Sequence, residues 1–169
     1  MKSFVAIIPA RFASTRFPGK PLAILGGKPV IQRVYEQAKK VFENVFVATD
    51  DDRIYGAVEQ FGGKAIMTSP NHKSGTDRCY EAYQKCGIET DVVVNIQGDE
   101  PFIQPEQIRA LMDCFPTEIA TLVHPFTKDN TLEDLQNPNY VKVAIAREYN
   151  HSNTTIGRAM YFSRSVIPY

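Results

Sequence analysis

The chain has 169 residues, 43% of them hydrophobic, with 19 acidic and 19 basic side chains. Its size and composition are typical of one globular domain, and the balanced charge argues against a general nucleic-acid binder, which usually carries a basic surface. The three cysteines lack metal-ligand spacing and no long apolar span or signal peptide is found, so we expect a cytoplasmic protein with reduced thiols and no membrane partner.

The first predicted element is a strand followed by a cationic loop. The apolar run FVAII at residues 4–8 predicts a strand buried on both faces of a parallel sheet. We expect the pairing to stop at Pro9, which has no N–H to donate. In the loop ARFASTRFPGK, residues 10–20, Arg11 suits two phosphate oxygens at once and Lys20 is a compact point charge. The loop therefore predicts a phosphate site, with a solvated basic loop as the alternative.

Helices and strands alternate in the segment that follows. Apolar spacing predicts a helix over residues 30–41, a strand over 44–49, a helix over 53–61 and a short strand over 64–67. This alternation is typical of a doubly wound sheet with right-handed crossovers. Of the three aspartates at 50–52, one is expected to cap the next helix and the others to ease its positive end.

A polar loop, TSPNHKSGTD at residues 68–77, precedes the next helix. We expect Thr76 or Asp77 to cap that helix, and His72 to be a solvated loop residue. The SGT tripeptide could read a pyrimidine edge or a ribose, and Arg78 could reach a base carbonyl or pair with Asp77. Ordinary helix capping would use the same residues, so both interpretations stay open at this point.

A second central strand, DVVVNIQG at residues 91–98, ends in two carboxylates. We expect Val92–Val94 to be buried and Gly98 to permit a close approach of a ligand to the backbone. Asp99 lies where a buried strand meets the ligand edge of the sheet, so it could hold Mg²⁺, which takes one or two protein carboxylates and completes its shell with phosphate and water. For Glu100 we expect a structural role, either holding the loop or capping the helix that starts near Pro105.

The remaining third alternates short elements. We predict a helix over 105–115, strands over 119–123, 141–146 and 158–162, a helical turn over 132–135 and a polar hairpin tip over 149–155. The chain closes on SRSVIPY at residues 163–169, in which Arg164 would by itself be interpreted as a surface arginine.

Four motifs together resemble the 3-deoxy-manno-octulosonate cytidylyltransferases, or CMP-Kdo synthetases. They are IPARFASTRFPGKPL at 8–22, SGTDR at 74–78, NIQGDEPFI at 95–103 and SRSVIPY at 163–169. The acylneuraminate cytidylyltransferases share the IPAR start but typically lack the RxPGKPL continuation. The resemblance implies a three-layer α/β/α nucleotidyltransferase fold, Rossmann-like and GT-A-like, with a mostly parallel mixed central sheet in one nucleotide-binding domain.

The resemblance also implies an activity. CTP and 3-deoxy-D-manno-octulosonate (Kdo) would give CMP-Kdo and pyrophosphate for lipopolysaccharide biosynthesis, with Mg²⁺ as cofactor, in a homodimer. Arg11, Lys20 and Asp99 would be catalytic, with Asp99 as the metal ligand. The sugar acid would meet Gln97 and Arg164. The residues implied at the nucleotide are Ala10, Arg11, Ser14, Lys20, Ser74, Gly75 and Arg78.

The sequence departs from this family in its length. Family members continue well beyond the IPY signature with sugar-binding residues, a second magnesium-binding aspartate and much of the dimer contact, so we expect this sequence to be incomplete at its C-terminus. Residues 119–169 would begin the sugar-binding and dimerisation region. The alternatives are a CMP-sialic acid synthetase, a nicotinamide dehydrogenase, whose glycine fingerprint is missing, and a non-catalytic nucleotide-binding module.

Overall fold

The structure is a computed structural model and describes residues 2–13, 17–115, 117–151 and 154–167. It divides into two compact units, Met1–Arg109 and Ala110–Tyr169. Within the described residues, no helix is both long enough and apolar enough to span a bilayer.

The first unit alternates strands and helices, as the sequence predicts. Four of its strands form a parallel sheet in the order β5-β4-β1-β6, and the other two form a small antiparallel hairpin. The α/β class with a parallel central sheet is therefore confirmed. The strands are β1 Phe4–Ala10, β2 Ile24–Leu25, β3 Lys28–Pro29, β4 Val45–Thr49, β5 Ala65–Met67 and β6 Val92–Asn95. The helices are a 3₁₀ turn Lys20–Leu22, α1 Val30–Lys39, α2 Asp52–Gln60, α3 Gly75–Lys85 and α4 Pro105–Met112, which runs into the second unit.

Helices cover both faces of the sheet. Ile7 of β1 packs in a buried cluster with Cys79 of α3. The next residue, Ile8, lies with Ile31 of α1 within 3.6 Å of the position that a Cβ on Gly98 would take. Because successive side chains of a strand point to opposite faces, α3 and α1 lie on opposite faces of the sheet. The first unit therefore has the three layers that the sequence predicts.

Pro9 does not end the ladder, so that prediction was wrong. β1 continues through Pro9, which lies opposite β4. The N–H of Ala6 donates to the segment at β4, and the carbonyl of Ile7 accepts from the segment that follows β6. Backbone groups of odd-numbered residues in β1 thus face β6. The missing N–H of Pro9 faces the side on which β6 has already ended, so its absence removes no ladder hydrogen bond.

The burial of β6 also differs from the prediction. Val92 and Val94 are buried, but Val93 is 38% exposed. β6 is the edge strand of the described four-stranded sheet, and one of its faces is partly open.

The helix caps follow the polar residues, with one shift. Asp51 caps α2 by accepting from the Arg53 N–H, as expected for one of the three aspartates. α3 begins earlier than predicted, because its cap is Ser74 and not Thr76 or Asp77. The Ser74 hydroxyl accepts from the Asp77 N–H at 3.1 Å, and it donates to the Asp77 carboxylate at 2.7 Å.

The second unit holds a short helix and a long hairpin. They are α5 Leu132–Gln136 and the antiparallel pair β7 Lys142–His151 and β8 Thr154–Ser163. The two strands connect within the polar segment 149–155, where the sequence predicts a hairpin tip, but the pairing continues to His151–Thr154, so the strands extend further into this segment than predicted. Residues 152–153 lie outside the described residues. The strand predicted over 119–123 does not form. These described residues pair with no other strand, and Ile119 is 88% exposed.

Candidate functional site

The carboxyl end of β1 is enclosed by two glycines. A Cβ on Gly98 would lie 2.7 Å from the carbonyl oxygen of Pro9, and a Cβ on Gly75 would lie 3.3 Å from the Pro9 ring. A side chain at position 98 would push the loop after β6 away from β1. The predicted close approach at Gly98 is therefore, in this structure, an approach of backbone to backbone. It brings the loop after β6 and the start of α3 together at the strand end where α/β proteins bind ligands.

A cavity of about 190 Å³ opens at this strand end. Three separate segments of the first unit contribute to it: the end of β1, the start of α3 and the loop after β6. Its charged arginine and lysine side chains give it a cationic character that favours an anionic ligand. The lining residues are Pro9, Ala10, Arg11, His72, Lys73, Ser74, Gly75, Arg78 and Gln97. Six of these were predicted from the sequence as site residues: Ala10, Arg11, Ser74, Gly75, Arg78 and Gln97.

Arg78 is the buried cation of the cavity. Its guanidinium donates to Thr68 Oγ1 at 2.6 Å and to Asp50 Oδ2 at 2.8 Å, and the residue is only 4% exposed. It does not pair with Asp77, which was one of the two predicted alternatives. Asp50 and Thr68 fix this guanidinium, and sequence reasoning missed them in this role because each lies at the end of a different strand.

Lys20 and Asp99 meet each other directly. Lys20 Nζ lies 2.7 Å from Asp99 Oδ2, and the two side chains are 40% and 53% exposed. Neither lines the cavity. The structure thus brings together the two residues that the sequence predicts to share one ligand, and in the ligand-free chain each is the partner of the other.

The cationic loop is braced at its base. The Gly19 N–H donates to the Phe12 carbonyl at 2.9 Å, and Gly19 has a φ of +72°, with the Phe12 ring 3.0 Å from the place of its absent Cβ. The guanidinium of Arg53 lies 3.3 Å above the Phe12 ring, a cation–π contact. Two hydrogen bonds hold that guanidinium on Asp51 and keep the pKa of this carboxyl below its usual value. Helix α2 thus supports the turn that leads into Lys20.

For two predicted site residues the prediction stays untested. Ser14 lies outside the described residues. Arg164 belongs to the second unit, where its guanidinium donates to the Pro138 carbonyl at 2.9 Å and its own carbonyl accepts from Lys142 Nζ at 2.9 Å. Its contact with a sugar carboxylate remains a prediction.

His72 is not the solvated residue that the sequence predicts. Its side chain is 21% exposed, and its Nε2 contacts the carboxylate of Glu81 on α3. His72 lines the cavity. Its neighbour Lys73, for which no role is predicted from the sequence, lines it too.

A magnesium ion would find one protein carboxylate here. In the described part of the chain no group of three or more His, Cys, Asp or Glu side chains could hold a metal. Asp99, whose Oδ2 lies 2.7 Å from Lys20 Nζ, offers a hard oxygen ligand at the end of the cationic loop. Because Mg²⁺ commonly takes one or two carboxylates and fills its shell with phosphate and water, Asp99 fits this ion when a nucleotide is bound with it.

Comparisons with known proteins agree with this geometry. A family model for cytidylyltransferases matches residues 5–169. The chain is 60% identical over 98% of its length to the 3-deoxy-manno-octulosonate cytidylyltransferase of Phocaeicola vulgatus, and 61% identical over 100% to that of Parabacteroides distasonis. It spans 64% and 66% of the lengths of these two relatives.

A solved structure shows the same likeness in three dimensions. The CMP:2-keto-3-deoxy-manno-octonic acid synthetase complexed with CTP matches with a TM-score of 0.78 at 40% identity, over 99% of this chain and 66% of that one. The family match, which covers nearly all residues, and the shared fold lead to one conclusion. The chain belongs to the cytidylyltransferase family.

Proposed function

We propose that the protein transfers the cytidylyl group of CTP to Kdo, forming CMP-Kdo and pyrophosphate. The observation that carries this proposal is the cationic cavity at the end of β1, where three segments of the family's motifs meet. Two relatives about 60% identical are named for this reaction, and the solved relative is described with CTP bound. The chain spans 64% and 66% of the lengths of these relatives, so the activity is proposed for the protein that contains this chain.

The cavity would take part of the nucleotide. Its volume of about 190 Å³ is below the roughly 300–1,000 Å³ of whole-ligand pockets, so the rest of CTP would extend over the open surface. The N-terminus of α3 presents the backbone of Ser74 and Gly75 there, and the helix dipole favours an anion. Arg11 adds a full charge, and Arg78 borders the cavity with its guanidinium already paired to Asp50.

Lys20 would exchange partners when the triphosphate binds. Its ammonium leaves the Asp99 carboxylate for a phosphate oxygen, which carries more negative charge. Asp99 Oδ2 is then free to act as a ligand of Mg²⁺, which neutralises phosphate charge when it is bound. The exposed Lys20–Asp99 pair suits such an exchange, since surface ion pairs contribute only about 0–1 kcal/mol.

The reaction needs alignment more than covalent catalysis. The anomeric 2-hydroxyl oxygen of Kdo bonds to the α-phosphorus and loses its proton, and the bond from that phosphorus to pyrophosphate breaks. Arg11 and Lys20 stabilise the charge on the phosphates, and Gln97 and Arg164 hold the sugar acid. We propose that the protein acts in the cytoplasm, in keeping with its reduced cysteines. We also propose a homodimer, which light scattering of the purified protein tests.

Pyrophosphate release tests the function. With CTP, Mg²⁺ and Kdo, we expect release that depends on all three components. Sialic acid and 8-amino-Kdo serve as matched acceptors, and a preference for either one would reassign the substrate. Binding of CTP without pyrophosphate release from any acceptor would show a nucleotide-binding module and refute the proposal.

A further inference from the structure

The wall of the cavity that faces β1 is a loop held from outside the site. We define the wall loop as residues 69–74, and its last three residues, His72, Lys73 and Ser74, line the cavity. Its start is tied down next to Thr68, whose N–H donates to the Thr49 carbonyl at 2.8 Å, and its end is tied by Ser74, the cap of α3. These two contacts hold only the ends of the wall loop, so residues 69–73 need a further contact to fix their position.

Glu81 of α3 holds the segment between these two ends. The Oε2 atom of Glu81 accepts from the Ser69 N–H at 2.9 Å and also contacts His72 Nε2. Its Oε1 atom accepts from Lys85 Nζ at 2.6 Å, within the helix. Among the described residues, Glu81 supplies the hydrogen bonds that join residues 69–73 to the rest of the first unit.

The carboxylate of Glu81 is suited to this task. Its side chain is only 21% exposed, so its bonds to the loop are partly shielded from water. The Lys85 ammonium, the Ser69 N–H and the His72 ring together lower the pKa of Glu81 to about 2. The charge that holds the loop is therefore present throughout the physiological pH range, and charge-assisted hydrogen bonds are stronger than neutral ones.

We infer that Glu81 is a positioning residue for the nucleotide, acting through the wall loop. It lies outside the cavity lining and acts through Ser69 and His72 on the placement of Lys73 and Ser74. This inference rests on the proposed function. When the anchor is lost, the loop samples positions away from β1, and CTP must first reorder it, so the affinity for CTP falls. Once CTP is bound, the cations at the end of β1 are unchanged, so turnover is kept.

Glu81→Gln in the protein that carries this chain tests the kinetic consequence. The amide keeps the shape and one acceptor but loses the charge shared by the loop and Lys85. Because hydrogen bonds to a charged group are stronger than those to a neutral one, we expect KM for CTP to rise about tenfold or more, with kcat within about twofold. Glu106→Gln is the matched control, because it neutralises another helical carboxylate with an ion-pair partner away from the cavity. An unchanged KM, or an equal loss in kcat, would overturn the inference.

Hydrogen exchange gives a readout without nucleotide. In ligand-free Glu81→Gln we expect the hydrogen-bonded amides of Ser69 and Asn71 to exchange about tenfold faster, while those of β4 keep their protection. Unchanged exchange in the wall loop would refute the anchor even if CTP binding is weak. If the wild-type protein fails to release pyrophosphate, the proposed function fails, and the exchange result still decides whether Glu81 holds the loop.

Discussion

The two compact units differ in how their side chains are held. All the buried hydrophobic residues of the described chain lie between Val5 and Ile108, in the first unit, where helices cover both faces of a parallel sheet. In the second unit, no residue is buried among those whose burial the structure describes, namely 110–115, 117–146 and 155–167. Large apolar side chains such as Ile119, Tyr161 and Phe162 are 88%, 62% and 51% exposed there.

This difference explains where precise polar geometry can form. In the first unit, the ion pair of Arg78 with Asp50 is fixed because the ends of β4 and β5 and the start of α3 are all anchored in one core. In the second unit, the two-stranded ladder has no buried side chain at residues 142–146 and 155–163, where burial is described, and a two-stranded hairpin by itself is marginally stable. Predictions that depend on side-chain position are therefore sharpest in the first unit.

The largest contrast is expected in the reactivity of the thiols. Burial raises the pKa of Cys79 in the first unit to about 12, against an ordinary value of 9.0. Below its pKa, such a thiol forms about 10³-fold less thiolate than an unshifted one. In the second unit, burial first and then the Asp113 charge raise the pKa of Cys114, which is only partly buried.

Alkylation followed by mass spectrometry measures this contrast. At pH 8 we expect Cys114 to be labelled long before Cys79, and Cys79 to react only after unfolding. Raising the pH to 9 should speed the labelling of Cys114, because the pH is then closer to the pKa of this thiol, while Cys79 stays unlabelled in the folded protein. Equal labelling rates in the folded protein would contradict the closed core of the first unit.

Truncation of apolar side chains should also separate the units. Ile7→Ala in the first unit removes a fully buried side chain, so we expect the free energy of unfolding to fall by about 2–5 kcal/mol. Phe162→Ala in the second unit removes a half-exposed ring and should cost less than about 1 kcal/mol. Urea denaturation measures both. A comparable cost for Phe162→Ala would show that its ring is covered in the protein that carries this chain.

Loss of a cation should affect a different kinetic constant in each unit. Lys20→Ala should lower kcat/KM for CTP by about 10²-fold with little change in melting temperature, since its ion pair with Asp99 is exposed. Arg164→Ala should instead raise KM for Kdo. The matched control is Lys28→Ala, which breaks an exposed pair with Glu36 outside the cavity lining. A normal kcat/KM in Lys20→Ala would remove Lys20 from the mechanism.

The smallest effects are expected at two helix caps. Ser74→Ala removes the cap of α3, a helix that packs on the sheet, and should reduce the free energy of unfolding by about 1 kcal/mol. Thr131→Ala removes the capping box of α5, a five-residue helix with no buried residue, so its loss should stay local and leave global unfolding unchanged. Thermal denaturation of both variants checks this. An equal shift in both would mean that α5 supports a core.

Much of the first unit could be predicted from the sequence, because its signals are local. These signals depend on residues within one turn or strand of each other. They are the apolar run of β1, the alternation of strand and helix spacing of apolar residues, and the capping of α2 by Asp51. The motif residues around Arg11, Ser74 and Gln97 could be assigned to one site, because parallel strands place their carboxyl ends at one edge. In the second unit, the apolar residues at 119–123 predicted a strand that does not form, because an apolar composition does not by itself supply a partner strand.

The sequence by itself determined the α/β alternation, the parallel sheet and the cationic character of its ligand edge. Only the tertiary structure decided which polar groups meet: Arg78 with Asp50, Glu81 with the wall loop, and Lys20 with Asp99. The physical reason is the separation of the interacting residues along the sequence. Periodicity and capping arise between neighbours in the chain, whereas these contacts join residues 9 to 79 positions apart that approach only after the sheet has formed.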